Sequence, residues 1–502
     1  MLELRSPLEA AQWLRERVTS QLQTDSRLVQ AGDGFLAWSG ASADGRSFVS
    51  LARAQGAAAC IVEKQGIEDL EMGDSPDIAC FDQLKAHAGW IANAFYQAPS
   101  EELGLLAVTG TNGKTSTTWW LAQALNQLQG TDTCGVIGTL GTGVMSALTS
   151  TGMTTPDAVL LQSQLRAFAD QKMAYVAMEA SSIGIQEHRL DGAHVRLAVF
   201  TNLTQDHLDY HGDMQAYGQA KARLFDWPGL RACVINTQDP FGATLAASLE
   251  GKGLDVWTCS RSGGLARLQA RQVMSAQAGL VLDIIEAEQI ERLQTALVGD
   301  FNIDNLLGVI GALRALGYDL SSAVQACARL SPVPGRMQMI PVQAAQLPLA
   351  VVDYAHTPDA VAKALQALKN VALQRQGQLW CVMGCGGDRD ASKRPLMTQA
   401  AEQVADQVVL TSDNPRTEDP VHILEQMSLG MRNPLDARVI VDRALAIEKI
   451  LSEAGPADVV LIAGKGHEDY QEIAGVRHPF SDIDHAQRVL QRLAQRASED
   501  GS

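Results

Sequence analysis

The stretch Leu105–Trp120, LLAVTGTNGKTSTTWW, organises the rest of the chain. Its apolar start, Leu105–Val108, is typical of a short buried strand, and the residues from Thr115 onward are typical of a helix start. Between them, the glycine-bearing turn Thr109–Lys114 would direct free backbone N–H groups toward one point, which is how proteins bind phosphate. The stretch therefore predicts a site for a nucleoside triphosphate.

The same turn carries two side chains that suit this chemistry. Lys114 is positioned to reach the terminal phosphates, and the Thr115 hydroxyl is positioned to bind a Mg²⁺. The common phosphate-loop pattern needs a glycine five places before Gly113, where this chain has Val108, so the loop is the shorter Gly110–Thr115. An ordinary glycine turn with an exposed lysine is the alternative interpretation.

Length and charge limit the classes to which the chain can belong. Its 502 residues exceed what one hydrophobic core holds, so we expect roughly two to four domains. Hydrophobic residues make up 46% of the chain and charged residues 19%, as in an ordinary globular protein. The net charge of −17 argues against general nucleic-acid binding, which needs a basic surface. An anionic ligand must therefore be held by local cations and backbone N–H groups.

Targeting signals and cysteine spacing bear on location. No apolar run approaches the roughly 18 residues that cross a bilayer, and the N-terminal MLELRSPLEAAQWLRERV has no apolar block typical of a signal peptide. The eight cysteines are scattered, and the closest pair, Cys381 and Cys385, does not match a zinc or redox spacing. We therefore expect free thiols, a cytoplasmic protein and no membrane insertion.

Apolar segments typical of strands alternate with helical segments after the phosphate loop. YVAME at Tyr175–Glu179, LAVFTN at Leu197–Asn202 and ACVIN at Ala232–Asn236 are typical of buried parallel strands. Polar turns follow the first two, at strand ends where ligands bind in open α/β sheets. After Arg336, the segments LAVVDY, LWCVMG, QVVLTS and DVVLIAG predict another doubly wound sheet. The turn Gly384–Arg389 lacks the third glycine of a dinucleotide fingerprint, which argues against an NAD-dependent enzyme.

Polar clusters follow the phosphate loop in a fixed order. They are MEASS at 178–182, TNLTQDHLDYHG at 201–212, AKARLF at 220–225, GDFNIDN at 299–305, PGR at 334–336 and DYAH at 353–356. In this order they resemble the Mur ligases, which use ATP to join an amino acid to a UDP-linked muramoyl precursor. The resemblance runs from about Asp25 to Ile483. The stretches GCGGDRD at 384–390, DNPR at 413–416 and GKGHE at 464–468 narrow it to the members that add meso-diaminopimelate.

The resemblance implies an α/β fold of three domains. Residues 1–88 would form a small α/β domain that binds the uridine end of the precursor, and residues 89–335 a central P-loop ATPase domain with a parallel sheet. Residues 336–502 would form a C-terminal Rossmann-like α/β domain that binds the amino acid. The implied substrates are UDP-N-acetylmuramoyl-L-alanyl-D-glutamate, meso-diaminopimelate and ATP, with Mg²⁺ as the metal. We expect a monomer.

The strand ends supply one metal ligand, and the resemblance implies others. Glu179 ends an apolar strand, where its carboxylate suits a Mg²⁺; a solvated turn residue is the alternative. The resemblance implies that His207 is a ligand to a second divalent ion, rather than a helix cap or core histidine, and that Lys221 is carbamylated and binds Mg²⁺. The expected metal ligands are thus Thr115, Glu179, His207 and Lys221 as carbamate, and the expected catalytic residues are Lys114, Glu179, His207 and Lys221. The expected ATP contacts are Gly110, Thr111, Asn112, Gly113, Lys114, Thr115, Ser116, Asn302, Asn305, Arg336, Asp353 and His356.

The resemblance also implies contacts to the other two substrates. Those to the UDP-linked precursor are Ser26, Ser42, Ala43, Thr154, Thr155, Ser181, Glu187 and Arg189. Those to meso-diaminopimelate are Arg389, Asp413, Asn414, Pro415, Arg416, Gly464 and Glu468. Glu187 stands where related enzymes have glutamine, and Ala41 and Ser42 replace larger polar residues, which affects the fine contacts to the nucleotide sugar. Arg416 would select the amino acid, because a guanidinium can bind the far carboxylate with two hydrogen bonds.

The implied reaction is a two-step ligation. The γ-carboxylate of D-glutamate would attack the γ-phosphate of ATP, and the amine of the amino acid would then displace phosphate from the acyl phosphate. An L-lysine-adding ligase and a folylpolyglutamate synthetase are alternatives within the family, although the latter should lack DNPR and the uridine-binding domain. A nucleotide-gated binding or switch protein is the alternative of another class.

Overall fold

The N-terminal part of the chain folds around a parallel sheet. This computed structural model describes residues 1–40, 43–68, 75–130, 132–262, 264–276, 279–341 and 347–500. The strands, which lie in the order β1-β5-β4-β3-β2, are β1 (Leu2–Leu4), β2 (Leu22–Gln23), β3 (Gly34–Ala37), β4 (Ala59–Glu63) and β5 (Ile78–Phe81). The helices are α1 (Pro7–Arg15), α2 (Val49–Ala54) and α3 (Leu84–Phe95). Apolar strand residues such as Ile61 pack with Leu14 of α1 and Ile91 of α3.

The phosphate-loop strand lies in the middle of the central sheet. The strands of this sheet are β6 (Gly104–Thr109), β7 (Cys134–Gly138), β8 (Gly141–Val144), β9 (Ala147–Thr149), β10 (Tyr175–Glu179), β11 (Val195–Phe200), β12 (Ala232–Asn236), β13 (Asp255–Ser260), β14 (Leu268–Ala276), β15 (Gly279–Glu286) and β16 (Gln289–Thr295). Their order is β16-β15-β14-β13-β12-β11-β6-β10-β7-β8-β9. β6 pairs in parallel with both β10 and β11, so the ends of these three strands meet at one edge. Antiparallel strands extend the sheet at both sides.

Helices cover both faces of the central sheet. They are α4 (Lys114–Gln129), α5 (Ala158–Asp170), α6 (Ser182–Gln186), α7 (Leu208–His211), α8 (Met214–Ala222), α9 (Pro240–Leu249), α10 (Phe301–Ala315) and α11 (Leu320–Ala328). α4, α10 and α11 contribute to the apolar core on one face, and α5 and α9 to the core on the other. Strands buried on both faces explain the near-continuous apolar runs of the sequence.

The C-terminal part forms a second, mostly parallel sheet. Its strands, in the order β17-β18-β22-β19-β20-β21, are β17 (Gln338–Met339), β18 (Leu349–Asp353), β19 (Leu379–Met383), β20 (Gln407–Leu410), β21 (Arg438–Val439) and β22 (Val459–Ala463). A hairpin of β23 (Tyr470–Ile473) and β24 (Val476–Pro479) follows. The helices are α12 (Pro358–Arg375), α13 (Lys393–Glu402), α14 (Pro420–Ser428), α15 (Arg443–Glu453) and α16 (Asp482–Asp500). Only β17 pairs antiparallel within this sheet, among the strands described.

This architecture confirms the predicted fold class, an α/β protein whose phosphate loop and amino-acid motifs lie on different sheets. The division predicted after residue 88 falls inside α3, which packs against both α1 and α5. We therefore propose that the first domain ends in the connection 97–103, and that the division after residue 335 lies between α11 and β17.

In the part of the chain that the structure describes, no helix is long and apolar enough to cross a membrane.

Candidate active site

The phosphate loop connects β6 to α4 and depends on two glycines. Gly110 has a φ of +146° and Gly113 a φ of +86°, conformations that L side chains rarely adopt. A Cβ at Gly110 would overlap the hydroxyl of Thr201, and one at Gly113 would overlap the side-chain oxygen of Asn305. The loop therefore packs closely against the end of β11 and the start of α10.

The turn after β11 fixes the loop through hydrogen bonds. The backbone N–H of Thr111 donates to the carbonyl of Asn202 at 2.8 Å, and the N–H of Asn112 donates to the Asn202 side chain at 3.0 Å. The Thr111 hydroxyl donates to the carbonyl of Thr204 at 3.0 Å. The loop conformation is therefore preorganised by protein contacts. Ser116 is buried in the first turn of α4 and lines the adjoining cavity.

Two lysines converge on this loop from different helices. Lys114 Nζ donates to the carbonyls of Gly110 at 3.0 Å and Thr111 at 2.8 Å. Lys221, from α8, is 1% exposed, and its Nζ donates to the same Gly110 carbonyl at 2.8 Å. Burial lowers the pKa of both lysines, and the charge of Lys114 lowers the pKa of Lys221 further. The fold therefore brings Lys221 to the loop.

Thr115 and Glu179 meet at the ends of neighbouring strands. The Thr115 hydroxyl donates to Glu179 Oε2 at 3.1 Å, and the backbone N–H of Thr139 donates to Glu179 Oε1 at 2.8 Å. Glu179 is only 1% exposed. A hydroxyl beside a buried carboxylate provides oxygen ligands that suit Mg²⁺. Among the residues described, no group of three or more histidine, cysteine, aspartate or glutamate side chains is arranged to hold a metal, so these two would need other ligands.

His207 lies in the turn after β11, beside Asp206. Its Nε2 is 3.5 Å from Asp206 Oδ2, and burial lowers the pKa of the imidazole to about 4. A neutral imidazole is the form that binds metal ions. The structure brings His207 into the same charged cluster as Lys114 and Lys221, which both lower its pKa.

Asp206 and Lys393 belong to the site but are absent from the predicted set. Asp206 Oδ1 lies 3.3 Å from Lys393 Nζ, and Asp206 Oδ2 lies 3.9 Å from His356 Nε2. Burial raises the pKa of Asp206, but Lys393, His207 and His356 more than reverse this, so its pKa lies well below the usual value. The position of Asp206 next to His207 was a signal for it, whereas no local pattern marks Lys393.

A cavity of about 250 Å³ lies next to the loop and is lined by both the central and the C-terminal parts of the chain. Asn302 and Asn305 of α10 line it, and Asn305 Nδ2 donates to Asn302 Oδ1 at 3.2 Å. Trp120 and Val333 supply apolar surface. Amide groups beside apolar walls suit a flat heterocyclic base.

Arg336 and Asp353 line the cavity from the C-terminal side, and His356 lies close by in the DYAH segment. Arg336 Nη2 donates to the Thr115 hydroxyl at 3.0 Å, and its guanidinium lies 4.4 Å from the centre of the Tyr354 ring. The buried Arg336 Nε has no hydrogen-bond partner among the residues described, so it is available to an anion. Asp353 accepts from the backbone N–H of Met337 at 2.6 Å; burial raises its pKa, against the opposing effect of Arg336. Burial also lowers the pKa of His356 to about 4.

Four of the residues predicted to bind the precursor form a connected group beside Glu179. Thr155 Oγ1 donates to the Glu179 carbonyl at 2.7 Å and accepts from the backbone N–H of Ser181 at 3.0 Å. Arg189 Nη1 donates to the Thr155 carbonyl at 2.9 Å, and the hydroxyl of Thr154 lies 3.1 Å from that of Thr139.

The remaining precursor residues are arranged differently. Glu187 forms an ion pair with Lys85 of α3 and accepts a hydrogen bond from Tyr210. Ser26 is buried in a short 3₁₀ helix, and Ala43 is exposed. Ser42 and its neighbour Ala41 lie outside the described residues.

The C-terminal motifs form a polar cluster at the ends of β20 and β22. Asn414 Nδ2 donates to Glu468 Oε2 at 2.8 Å, and a Cβ at Gly464 would overlap the carboxylate of Asp413. Lys465, which was not predicted, is fully buried and donates to Asn414 Oδ1 and Glu468 Oε2, both at 2.9 Å. Burial and the charge of Asp413 raise the pKa of Glu468, against the opposing effect of Lys465.

The two predicted arginines are less enclosed. Arg416 follows the buried Pro415, has a φ of +53°, and donates through Nη1 to the carbonyl of Gly387 at 2.6 Å. Its backbone pairs with the hairpin, because its N–H donates to the carbonyl of Glu472 at 3.0 Å. Arg389 is exposed, and its Nη1 contacts only the neighbouring Asp388 carbonyl, at 2.9 Å, among the hydrogen bonds described.

The amino-acid cluster adjoins the nucleotide cavity. The ring centres of His467 and Tyr354 are 5.4 Å apart, and a Cβ at Gly335 would overlap the backbone of His467. The GKGHE turn therefore packs directly on the PGR segment that carries Arg336. One continuous site joins the phosphate loop to the DNPR and GKGHE motifs.

Comparison with known proteins identifies the family of this chain. Residues 19–96 match the model described as Mur ligase family, catalytic domain, residues 108–313 the Mur ligase middle domain, and residues 335–466 the Mur ligase, glutamate ligase domain. A UDP-N-acetylmuramoyl-L-alanyl-D-glutamate--2,6-diaminopimelate ligase from Acidovorax sp. (strain JS42) is 57% identical over 96% of this chain and 97% of its own.

Solved structures show the same relationship. A UDP-N-acetylmuramoyl-L-alanyl-D-glutamate--2,6-diaminopimelate ligase is 37% identical, with a TM-score of 0.64 over 94% of this chain and 95% of its own. MurF from Acinetobacter baumannii, 17% identical with a TM-score of 0.65 over 97% of this chain and 98% of its own, shares the fold. From the matched family models and this identity over nearly its whole length, the chain belongs to the Mur ligase family.

Proposed function

We propose that this protein uses ATP to join 2,6-diaminopimelate to the D-glutamate of UDP-N-acetylmuramoyl-L-alanyl-D-glutamate, a step in peptidoglycan precursor synthesis. The observation that carries this proposal is the single site in which the phosphate loop and the DNPR and GKGHE motifs adjoin through Arg336, Tyr354 and His467. The names of the similar enzymes support the same activity.

In the first step, a γ-carboxylate oxygen of D-glutamate attacks the γ-phosphorus of ATP. The new P–O bond forms as the bond to the β,γ-bridging oxygen breaks, and the electron pair leaves with ADP. Lys114 and Arg336 neutralise the phosphate charge, and the loop N–H groups of 113–115 orient it. The preorganised hydrogen bonds of Thr111 and Asn112 to the turn after β11 support this role.

In the second step, an amine of diaminopimelate attacks the acyl carbon. A tetrahedral intermediate forms, inorganic phosphate leaves with the C–O bonding electrons, and the amine loses a proton. Glu468, Asn414 and Asp413 would bind the reacting amino-acid end, because their oxygens are clustered at the strand ends of the C-terminal sheet. Lys465 holds two of these side chains in position.

A Mg²⁺ fits the donor set beside the loop. Thr115 and Glu179 would hold it, a carbamylated Lys221 would add further oxygen ligands, and His207 would bind a second divalent ion. When bound, the ion neutralises charge on the phosphate oxygens. The carbamate supplies the additional carboxylate oxygens that the described side chains lack.

We also propose that the enzyme selects the meso form of diaminopimelate and rejects L-lysine. Arg416 would bind the far carboxylate of meso-diaminopimelate, which L-lysine lacks, and Arg389 would contact the near end of the amino acid. The precursor would lie along Thr154, Thr155, Ser181 and Arg189. Because Glu187 is paired with Lys85, its carboxylate adds little repulsion toward an anionic precursor.

The cysteines and the nucleotide substrate bear on where the protein works. Eight free, buried cysteines and the use of ATP support a cytoplasmic protein. One chain carries all the residues that the reaction needs, which supports a monomer.

Substrate-dependent ADP release tests the function. Release over many turnovers should require both the UDP-linked dipeptide and meso-diaminopimelate, and the mass of the product should equal the dipeptide precursor joined to the amino acid with loss of water. Lys114→Ala serves as the control variant and should be slower by about 10²–10³-fold, because it lacks the loop cation. Sustained ADP release over many turnovers that needs neither the dipeptide precursor nor the amine would instead support a nucleotide switch and contradict the proposal.

A further inference from the structure

An ion pair joins the central and C-terminal domains beside the phosphate loop. Asp206 follows β11 of the central sheet, and Lys393 is the first residue of α13 on the other sheet. Their side chains are 6% and 11% exposed, and Asp206 Oδ1 lies 3.3 Å from Lys393 Nζ. A buried pair of this kind must offset a large desolvation cost, so it is weak support for a purely stabilising role.

Cationic side chains from different elements meet beside the phosphate loop. Lys114 bonds to the Gly110 carbonyl, Arg336 to the Thr115 hydroxyl, and Lys393 to Asp206. The chain as a whole has a net charge of −17, so an anion at this site depends on these local cations. Such a concentration of cations is favourable when an anion with several charges is bound among them.

Lys393 is linked to the phosphate loop through Asp206. Through Asp206 it reaches the turn whose Thr204 accepts hydrogen bonds from Thr111 and Asn112 of the loop. In the chain it lies just after the GCGGDRD turn, which contains Arg389.

We propose that Lys393 contacts the phosphoryl group as it passes from ATP to the D-glutamate carboxylate, and that Asp206 holds its ammonium in place before ATP enters. Lys393 forms no covalent bond and exchanges no proton in this step; it neutralises negative charge on the transferred oxygens. This role rests on the proposed ligase function. It makes Lys393 the cation that the C-terminal domain's α13 adds to the ATP site.

The test compares ligands that differ only in the γ-phosphoryl group. Affinities for ADP and for a non-hydrolysable ATP analogue, both with Mg²⁺, are measured by calorimetry for wild type, Lys393→Met and Lys393→Arg. Lys393→Met should weaken binding of the analogue by roughly 10-fold or more and leave ADP binding unchanged, because a charge-assisted contact to that group is lost. Its kcat should fall by about 10²-fold, and Lys393→Arg should restore part of both.

Controls separate this role from simple stabilisation. Lys369→Met removes another lysine–aspartate pair of the C-terminal domain, with Asp406, and should leave both affinities unchanged. The Lys393→Met/Asp206→Asn double variant removes both buried charges together and gives the same comparison if the single variant does not fold. Equal weakening of ADP and analogue, or an unchanged analogue affinity, overturns the proposal. If wild type releases no ADP with its substrates, the ligase function fails, whereas the binding comparison still decides on the contact.

Discussion

At the scale of single residues, Lys114 and Lys221 share one acceptor, the carbonyl of Gly110, at 3.0 and 2.8 Å. Two ammonium groups bonded to one oxygen repel each other, and burial lowers the pKa of both lysines. The neutral amine of Lys221 can attack CO₂, forming an N–C bond and releasing a proton. The resulting carbamate replaces a like-charge contact by an attractive one, which is the physical reason to expect the modification at Lys221.

Replacing Lys221 tests this expectation. Lys221→Ala should be nearly inactive in ADP release, because a metal-binding carboxylate is lost, and a small added carboxylate should restore part of the rate. Lys252→Ala, which removes an exposed lysine paired with Asp226, is the matched control and should retain the wild-type rate. NMR with ¹³C-labelled bicarbonate should show a carbamate carbon in wild type and none in Lys221→Ala. Absence of that signal, with activity insensitive to bicarbonate depletion, would count against the carbamate.

Site residues that the sequence predicts belong to short local motifs, whereas those found only in the structure depend on long-range contacts. Lys114, Thr115 and Glu179 follow from a loop and a strand end, which are visible in a few consecutive residues. Lys393 and Lys465 have no such signature; Lys393 meets its partner 187 positions away in the chain, and only the packed fold shows that both lysines are buried.

At the scale of elements, the phosphate loop is held between β6, α4 and α10. Gly113 lies where α4 begins and has a φ of +86°. A Cβ at this position would also overlap the side chain of Asn305, whose amide donates to Asn302. A side chain here would therefore affect both the loop and the cavity expected to hold adenine. The backbone strain alone costs about 1–3 kcal/mol.

Gly113→Ala and Gly130→Ala separate the effect of a clash with Asn305 from the effect of backbone strain at a positive φ. Both glycines flank α4 and both have positive φ, but nothing lies within 4 Å of a Cβ at Gly130. Both variants should lower the unfolding midpoint, whereas only Gly113→Ala should lose nucleotide affinity, because it displaces Asn305. Calorimetry with ADP checks this. Equal ADP affinities in the two variants would contradict the assigned role of the loop.

Elements buried on both faces are predictable, and half-exposed ones are less so. The segment at 175–179 forms β10 and the segment at 232–236 forms β12, as predicted from their continuous apolar character. The antiparallel strands β15 and β16 were not predicted, since polar and apolar residues are mixed along them. The hairpin of β23 and β24 also escapes prediction, although it supports the backbone of Arg416.

At the scale of the whole molecule, the domains meet in different ways. The first domain contacts the central one closely by backbone, because a Cβ at Gly89 would overlap the carbonyl of Asp191, and also through the ion pair of Lys85 with Glu187. The C-terminal domain instead meets the phosphate loop through polar side chains, such as Asp359, which accepts from Asn112 at 3.1 Å. Polar contacts of this kind are more easily exchanged for substrate contacts, which suits closure around ATP. This arrangement between domains depends on long-range packing, and the sequence indicated only that several domains contribute.

The most direct test of the central claim is the choice of amino acid. Product formation is measured with meso-diaminopimelate and with L-lysine, for wild type, Arg416→Ala and Arg438→Ala. Arg438→Ala is the control, because it removes an ion pair with Glu453 that lies away from the predicted site. Wild type and the control should prefer meso-diaminopimelate by roughly 10⁴-fold, because lysine leaves the guanidinium without its partner. Arg416→Ala should lose most of that preference. Equal wild-type rates with the two amino acids would contradict the account.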